Sequence, residues 1–481
     1  MKELTSRALD LARVRGARYA DVRVVKRESQ VITVKNGKVE VLSIGESEGF
    51  GVRVILNGAW GFASSSLLTN AEVDRVTDLA IRIARASATL KARDVDIGSP
   101  MKIVDAYRTP AGKDPFDVSL EQKIDLLLAA DAAMRSAKGL TVAEASMEIL
   151  RETITFASSE GSYIEQVLLD SGAGIEATAV GGDELQKRSY PNSFGRQQGK
   201  AGYEFIEAMD LPGNAQRIAE EAVSLLTAKE CEPGVTTVVL DATQLALQLH
   251  ESCGHPIELD RVFGTEASYA GTSFLTTDKL GNFRYGSDLV NVYADATASS
   301  GLGTFGYDDE GVPAQRTPIV SNGMFVGYLT SRETASVLGK QSNGAARADG
   351  WNRIPLIRMT NVNLEPGQWS FEDMIADTDD GLYLQTNKSW SIDDKRLNFQ
   401  FGTEIAWEIK RGKIGQLIRN ATYTGITPEF WRSCDAICSA KHWNIWGTPN
   451  CGKGQPVQTA RVGHGTAPAR FRNVRVGLIK R

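Results

Sequence analysis

Histidine is almost missing from this chain: four residues in 481. Cysteine is nearly as scarce at five, an odd number without framework spacing, which argues against a disulfide scaffold and for a reducing compartment. No stretch reaches the ~18 uncharged apolar residues of a membrane span. Met1-Lys2-Glu3-Leu4 opens an amphipathic helix, not the apolar core of a secretion signal. The expected location is cytoplasmic, without membrane association. Excess positive charge is lacking too. The net charge is −5, so the basic face of a nucleic-acid binder is not expected. The local run Lys410-Arg411-Lys413, which flanks Gly412, reads as a solvated hairpin tip. No internal repeat stands out, and the Gly-rich residues 172–182 lack the strand–G-x-G-x-x-G–helix setting of a nucleotide loop. What is there, 42% hydrophobic residues over this length, can bury more than one core and suggests two or three domains.

Two of the four histidines bracket one short segment, His250-Glu251-Ser252-Cys253-Gly254-His255. Neutral imidazole is a common zinc ligand, and a Glu beside a ligating His can act as general base. The spacing is unusual. Histidines five apart sit roughly 140° from one another on a regular helix at ~100° per residue. They reach one metal only if the helix ends or deforms between them. Gly254 and Pro256 predict an end there, with His255 swinging back from the turn beyond. Upstream, residues 236–240 read as a buried strand, and Asp241 as an N-cap with Gln244 completing a capping box.

A catalytic zinc needs a third protein ligand. Candidates are the two remaining histidines, the five cysteines and nearby carboxylates. Cys451 lies in a Gly-rich turn, Pro449-Asn450-Cys451-Gly452-Lys453-Gly454-Gln455, where Lys453 would lower the thiol pKa. Cys434 and Cys438, spaced C-x3-C, are an alternative that with Cys451 would form a separate structural site. Cys253 reads as a packing residue, and Cys231 has no informative context.

Turn signals divide the chain. Asn36-Gly37 and Asn57-Gly58 mark hairpins, with strands at residues 22–25, 31–34, 39–44, 51–56 and 59–64. Helices are expected at 4–15, 70–86, 119–136 and 214–228, strands through 144–180, and a connection at 88–117. After a boundary near Cys231-Glu232-Pro233-Gly234 the pattern turns mostly β. The fold class is α+β. Residues 1–230 form an α+β N-terminal region, with subdomains at about 1–90 and 115–230. Residues 231–481 form a β-rich catalytic zinc domain.

The chain resembles the TldD/PmbA family of metalloproteases, and specifically its zinc-motif-bearing TldD-type subunit, over nearly its whole length. The His-Glu-x-x-x-His motif matches His250, Glu251 and His255, with Glu258 and Asp260 after it. An Asp-Asp-Glu-Gly segment matches Asp308-Asp309-Glu310-Gly311, an Arg-Met-Thr-Asn segment matches Arg358-Met359-Thr360-Asn361, and a late Cys-Gly-Lys turn matches Cys451-Gly452-Lys453. The resemblance implies Zn2+ held by His250, His255 and Cys451, with Glu251 as the catalytic carboxylate. It also implies hydrolysis of unfolded or extended peptides, and a heterodimer with a PmbA/TldE-type homologue or else a homodimer. Cys253 departs from the small aliphatic residue usual there. Residues 431–449, with Cys434, Cys438, His442, Trp443 and Trp446, match no family pattern. Two competing readings are a non-catalytic interaction subunit of such a complex and a hydrolase built on Cys253.

Overall fold

Asn-Gly pairs set the first sheet. In the computed structural model, which describes residues 1–269 and 271–477, Asn36 and Gly37 take φ of 47° and 79°, and Asn57 and Gly58 take 51° and 73°. Both central residues of each turn are therefore left-handed, as a two-residue hairpin requires. The turns join Tyr19–Lys35 to Lys38–Leu56, and that strand to Ala59–Ser65. The expected short strands at 22–25 and 31–34 are one continuous strand, and 39–44 and 51–56 are another. Residues 26–30 pair with residues 44–48 and complete the ladder without a break.

The eight-stranded sheet has Glu184–Tyr190 and Gln197–Gly199 paired to Tyr163–Gly181 beside its main path, which runs Ala59–Ser65, Lys38–Leu56, Tyr19–Lys35, Val142–Ser158, Tyr163–Gly181, Val104–Arg108. The last lies inside the expected connection at 88–117 and pairs in parallel with Tyr163–Gly181. Helices Lys2–Val14 and Asn70–Ser87 cover Val22 and Val24, while Leu120–Arg135 and Leu211–Leu225 cover Ile32 and its neighbours. The fourth helix begins earlier than its pattern suggests, because Asp210 at φ 46° caps it by accepting from the Gly213 amide. On the opposite face Val25 packs with Ile154, Leu168, Ala296 and Phe305. Arg23, Arg27 and Arg53 reach across to Asp309, Asp349 and Glu310 at 3.4, 3.2 and 3.0 Å. The first sheet is thus sandwiched between its helices and the β-rich remainder.

That remainder is built on a second eight-stranded sheet. Asp380–Ile392, Gly234–Leu240, Ala469–Val476, Thr422–Ile426 and Asn398–Lys410 pair in that order, and the last returns to the first, closing a five-stranded ring. Lys229–Glu230 already pairs with Lys413–Arg419 at the sheet's edge, slightly ahead of the boundary read near Cys231. Phe401, Tyr423, Phe430 and Phe471 stack in the largest core, with Phe399 edge-on to the first three. The fold class is α+β with a β-rich C-terminal region. Among the described residues no helix is long and apolar enough to cross a membrane.

Candidate metal centre

The centre grows out of strand Gly234–Leu240. Asp241 ends it and caps helix Ala242–Leu249, accepting from the Thr243 amide at 2.9 Å. Gln244 does not complete a capping box. Its amide donates at 2.9 Å to the Tyr423 hydroxyl, which donates at 2.9 Å to Gln248, so the side chain serves a buried polar chain.

The helix does not stop at Gly254, as the sequence led us to expect. It widens into a π turn over His250–Gly254, and the His255 amide donates to the His250 carbonyl at 3.2 Å. An i→i+5 bond stacks residues five apart on one face, where an α-helix would turn them away from each other. His255 itself remains helical at φ −68°, ψ −42°. The rings of His250 and His255 stand 4.9 Å apart and nearly perpendicular. Gly254 has a packing role instead of a stop role, since a Cβ there would lie 2.3 Å from Met359 Sδ.

Cys451 arrives on the hairpin of Asn444–Lys453 and Gln458–Thr466, paired with Ala460. Its Sγ is 3.7 Å from His255 Nε2, and donor atoms of His250, His255 and Cys451 all lie within 4.8 Å of one another. A sulfur and a nitrogen sharing one tetrahedral zinc would stand roughly 3.5 Å apart. The donor set fits zinc, and the 3.7 Å between Cys451 and His255 is close to that spacing.

The hydrogen bonds behind the two rings settle their tautomers. The Val362 carbonyl can only accept, so His464 Nδ1 donates to it at 3.2 Å. Burial holds His464 neutral, and its Nε2 must therefore accept, at 2.7 Å, from His250 Nδ1. This leaves His250 Nε2 as a free lone pair. His255 Nδ1 likewise donates to Glu258 Oε2 at 3.0 Å, which leaves Nε2 facing Cys451. Burial lowers the pKa of both His250 and His255, keeping them neutral as ligation requires. Burial pushes the Cys451 thiol up, and the Arg358 guanidinium pulls it the other way.

Lys453 does not act on the thiol as expected. Its ammonium donates to Asp260 Oδ1 and the Ile357 carbonyl, both at 2.7 Å. Cys434 and Cys438 do not join Cys451 in a second site. They are buried in separate apolar clusters, and burial pushes both thiols up to about 12. Cys253 is fully buried and also pushed up to about 12 by burial, the reverse of what a nucleophile needs.

Glu251 faces a cavity of ≈ 360 Å³ lined also by His250, His255, Cys451 and Arg396. Its Oε2 accepts from Arg396 Nη1 at 2.5 Å. Arg396 and His464 escaped the sequence reading as partners of the motif. They lie 145 and 214 residues from the groups they touch; Arg396 sits between Asp380–Ile392 and Asn398–Lys410, and His464 on Gln458–Thr466.

The comparisons with known proteins follow this geometry. Residues 20–84 match the model of PmbA/TldA metallopeptidase domain 1, residues 113–229 the central domain, and residues 233–478 the C-terminal domain. The chain belongs to the PmbA/TldD metallopeptidase family. Metalloprotease MJ0996 of Methanocaldococcus jannaschii is 31% identical over 87% of this chain and 89% of its own. The zinc metalloprotease TldD homolog of Saccharolobus solfataricus is 23% identical over 96% and 97%. The crystal structure of TldE from Thermococcus kodakarensis superposes with a TM-score of 0.75 at 16% identity, covering 98% and 99% of the two chains, a likeness of fold.

Within this family member the two internal motifs are scaffolding. Asp308 gathers the amides of Glu310, Val312 and Ala346 at 2.9 to 3.0 Å, and Glu310 binds Arg53 and the Arg332 amide. Arg358 donates to the carbonyls of Gln458 and Cys451, one on each strand of the cysteine hairpin. Asn361, fully buried, accepts from the Gly303 amide at 2.9 Å and donates to Asp295 O and Thr304 Oγ1, both at 2.8 Å. Asn361→Ala would leave these groups unsatisfied at ~1–3 kcal/mol each. The expected loss is about 2 kcal/mol or more in urea unfolding, and a loss below about 0.5 kcal/mol would contradict this role.

Proposed function

We propose that this chain is a zinc-dependent peptidase acting on unfolded or extended peptides. In this reading residues 231–481 form the catalytic domain, His250, His255 and Cys451 hold the ion, and Glu251 is the general base. The carrying observation is the convergence of two fixed-tautomer imidazoles and one thiol, all within 4.8 Å, beside a carboxylate. Family membership and the zinc in a relative's name support it.

A zinc ion bound there would lower the pKa of water toward ~7 and polarise the scissile carbonyl. Glu251 then takes the proton of the attacking water and passes it to the leaving amine. Arg396, donating to Glu251 Oε2, fixes the carboxylate's orientation. As a thiolate ligand, Cys451 would add negative charge to a bound zinc and temper its Lewis acidity. His464 fixes the lone pair of His250. His464→Ala should therefore weaken zinc binding about 10–100-fold in a chelator competition, and an unchanged affinity would remove it from the design.

Association with a PmbA/TldE-type homologue belongs to this proposal, with a homodimer as the alternative; the fold shared with TldE supports it. Five unpaired thiols support the cytoplasm as the site of action. The test is purification with and without such a homologue, followed by metal analysis and digestion of an unfolded protein. Cleavage should vanish with chelator and return with zinc. Stoichiometric zinc without cleavage in either preparation would favour the non-catalytic subunit.

A further inference from the structure

Two large aromatic side chains stand in solvent at the cavity that holds Glu251. Phe194 is 54% exposed and Trp390 46% exposed, and their rings meet edge to face with centroids 5.8 Å apart. Phe194 is also in a conformation that bulky residues avoid, φ 62° and ψ 29°. The chain around it holds it there. The Asn387 amide donates to Ser193 Oγ at 3.0 Å, on the strand that carries Trp390. Asn192 Nδ2 donates to the Gly447 carbonyl at 3.2 Å, and the Gly447 amide donates to Gln197 Oε1 at 2.9 Å, on the strand that carries Cys451. The segment is thus stitched to both walls of the cavity, and the strained turn presents a ring to solvent instead of burying it. Strain and exposure of this kind concentrate at ligand sites.

We propose that Phe194 and Trp390 form a substrate subsite that takes one large apolar side chain, aromatic above all, of a peptide whose scissile bond lies at Glu251. This rests on the peptidase reading. Ala246 and Leu247 continue the apolar wall toward His250. A side chain laid against the exposed sides of the two rings extends their edge-to-face contact and removes exposed aromatic surface from water. The cavity, ≈ 360 Å³, lies at the small end of ligand pockets, suited to an extended peptide and one such side chain.

The experiment uses the zinc-loaded chain with its homologue and a blocked hexaalanine peptide in which Phe, then Asp, is moved through every position. Phe at one position should raise kcat/KM about 10-fold or more over alanine, and Asp there should not. The double variant Phe194→Ala, Trp390→Ala should reduce the Phe-to-Ala ratio below about 3, and Phe194→Leu with Trp390→Phe should retain most of it. A ratio unchanged in the double variant, or no preferred position, would overturn the subsite. Calorimetric binding of the Phe peptides to Glu251→Gln protein separates the two readings. If the wild type cleaves nothing but Phe-peptide binding depends on the two aromatics, the subsite stands and the peptidase reading falls.

Discussion

Glu251→Gln is expected to keep its zinc and its fold while peptide hydrolysis falls by ~10² or more, the scale of losing a general base. The substitution is close to isosteric. The amide oxygen can still accept from Arg396 Nη1, which now reaches Glu251 Oε2 at 2.5 Å. What is lost is the carboxylate's charge and its capacity to carry a proton from water to the leaving amine. In barrier terms the expected change is about 2.7 kcal/mol or more. It should fall mainly on kcat, because the proton moves only in the chemical step. A variant with bound zinc and more than about a third of wild-type kcat would mean that Glu251 only orients the site.

Cys451→Ala should weaken zinc binding by about 10²–10³-fold, taking an apparent ~10–16 kcal/mol of four-ligand zinc binding as roughly shared among its ligands. The fold should persist, because the hairpin of Asn444–Lys453 and Gln458–Thr466 is held by backbone pairing and by Arg358, not by the thiol. His250→Ala and His255→Ala should act similarly. Full zinc retention in Cys451→Ala, measured by elemental analysis after dialysis against a weak chelator, would remove the cysteine from the ligand set.

The histidine donors were legible because they are rare. With so few histidines, a pair flanking a Glu stands out; Cys451 was singled out from the other candidates only by the family resemblance, and it lies in strand Asn444–Lys453 where a Gly-rich turn was expected. The turn that unites the pair was not legible. A 3.6-residue pattern says that residues five apart diverge, and only the observed His255–His250 bond tells a π turn from a helix end. Gly254 misled for a related reason, since a glycine needed for close approach to Met359 looks in sequence like a helix stop. Asp241 was readable as a cap because capping is local, whereas the partner of Gln244 is Tyr423, across the ring of strands.

The same division holds for the fold. Asn-Gly turns predicted the hairpins, since left-handed φ at both central positions is a local demand. Strand lengths and the pairing of Gly234–Leu240 with Asp380–Ile392 and Ala469–Val476 depend on contacts that no local pattern encodes. His464, Arg396 and the Phe194–Trp390 pair belong to that second class.

Zinc-edge X-ray absorption on the protein loaded with one equivalent tests the central claim most directly. The account predicts one sulfur at ~2.3 Å and two imidazole nitrogens at ~2.0–2.1 Å, with a light atom from solvent completing four-coordination. A coordination shell without sulfur, or with two or more sulfurs, would contradict a centre built from His250, His255 and Cys451.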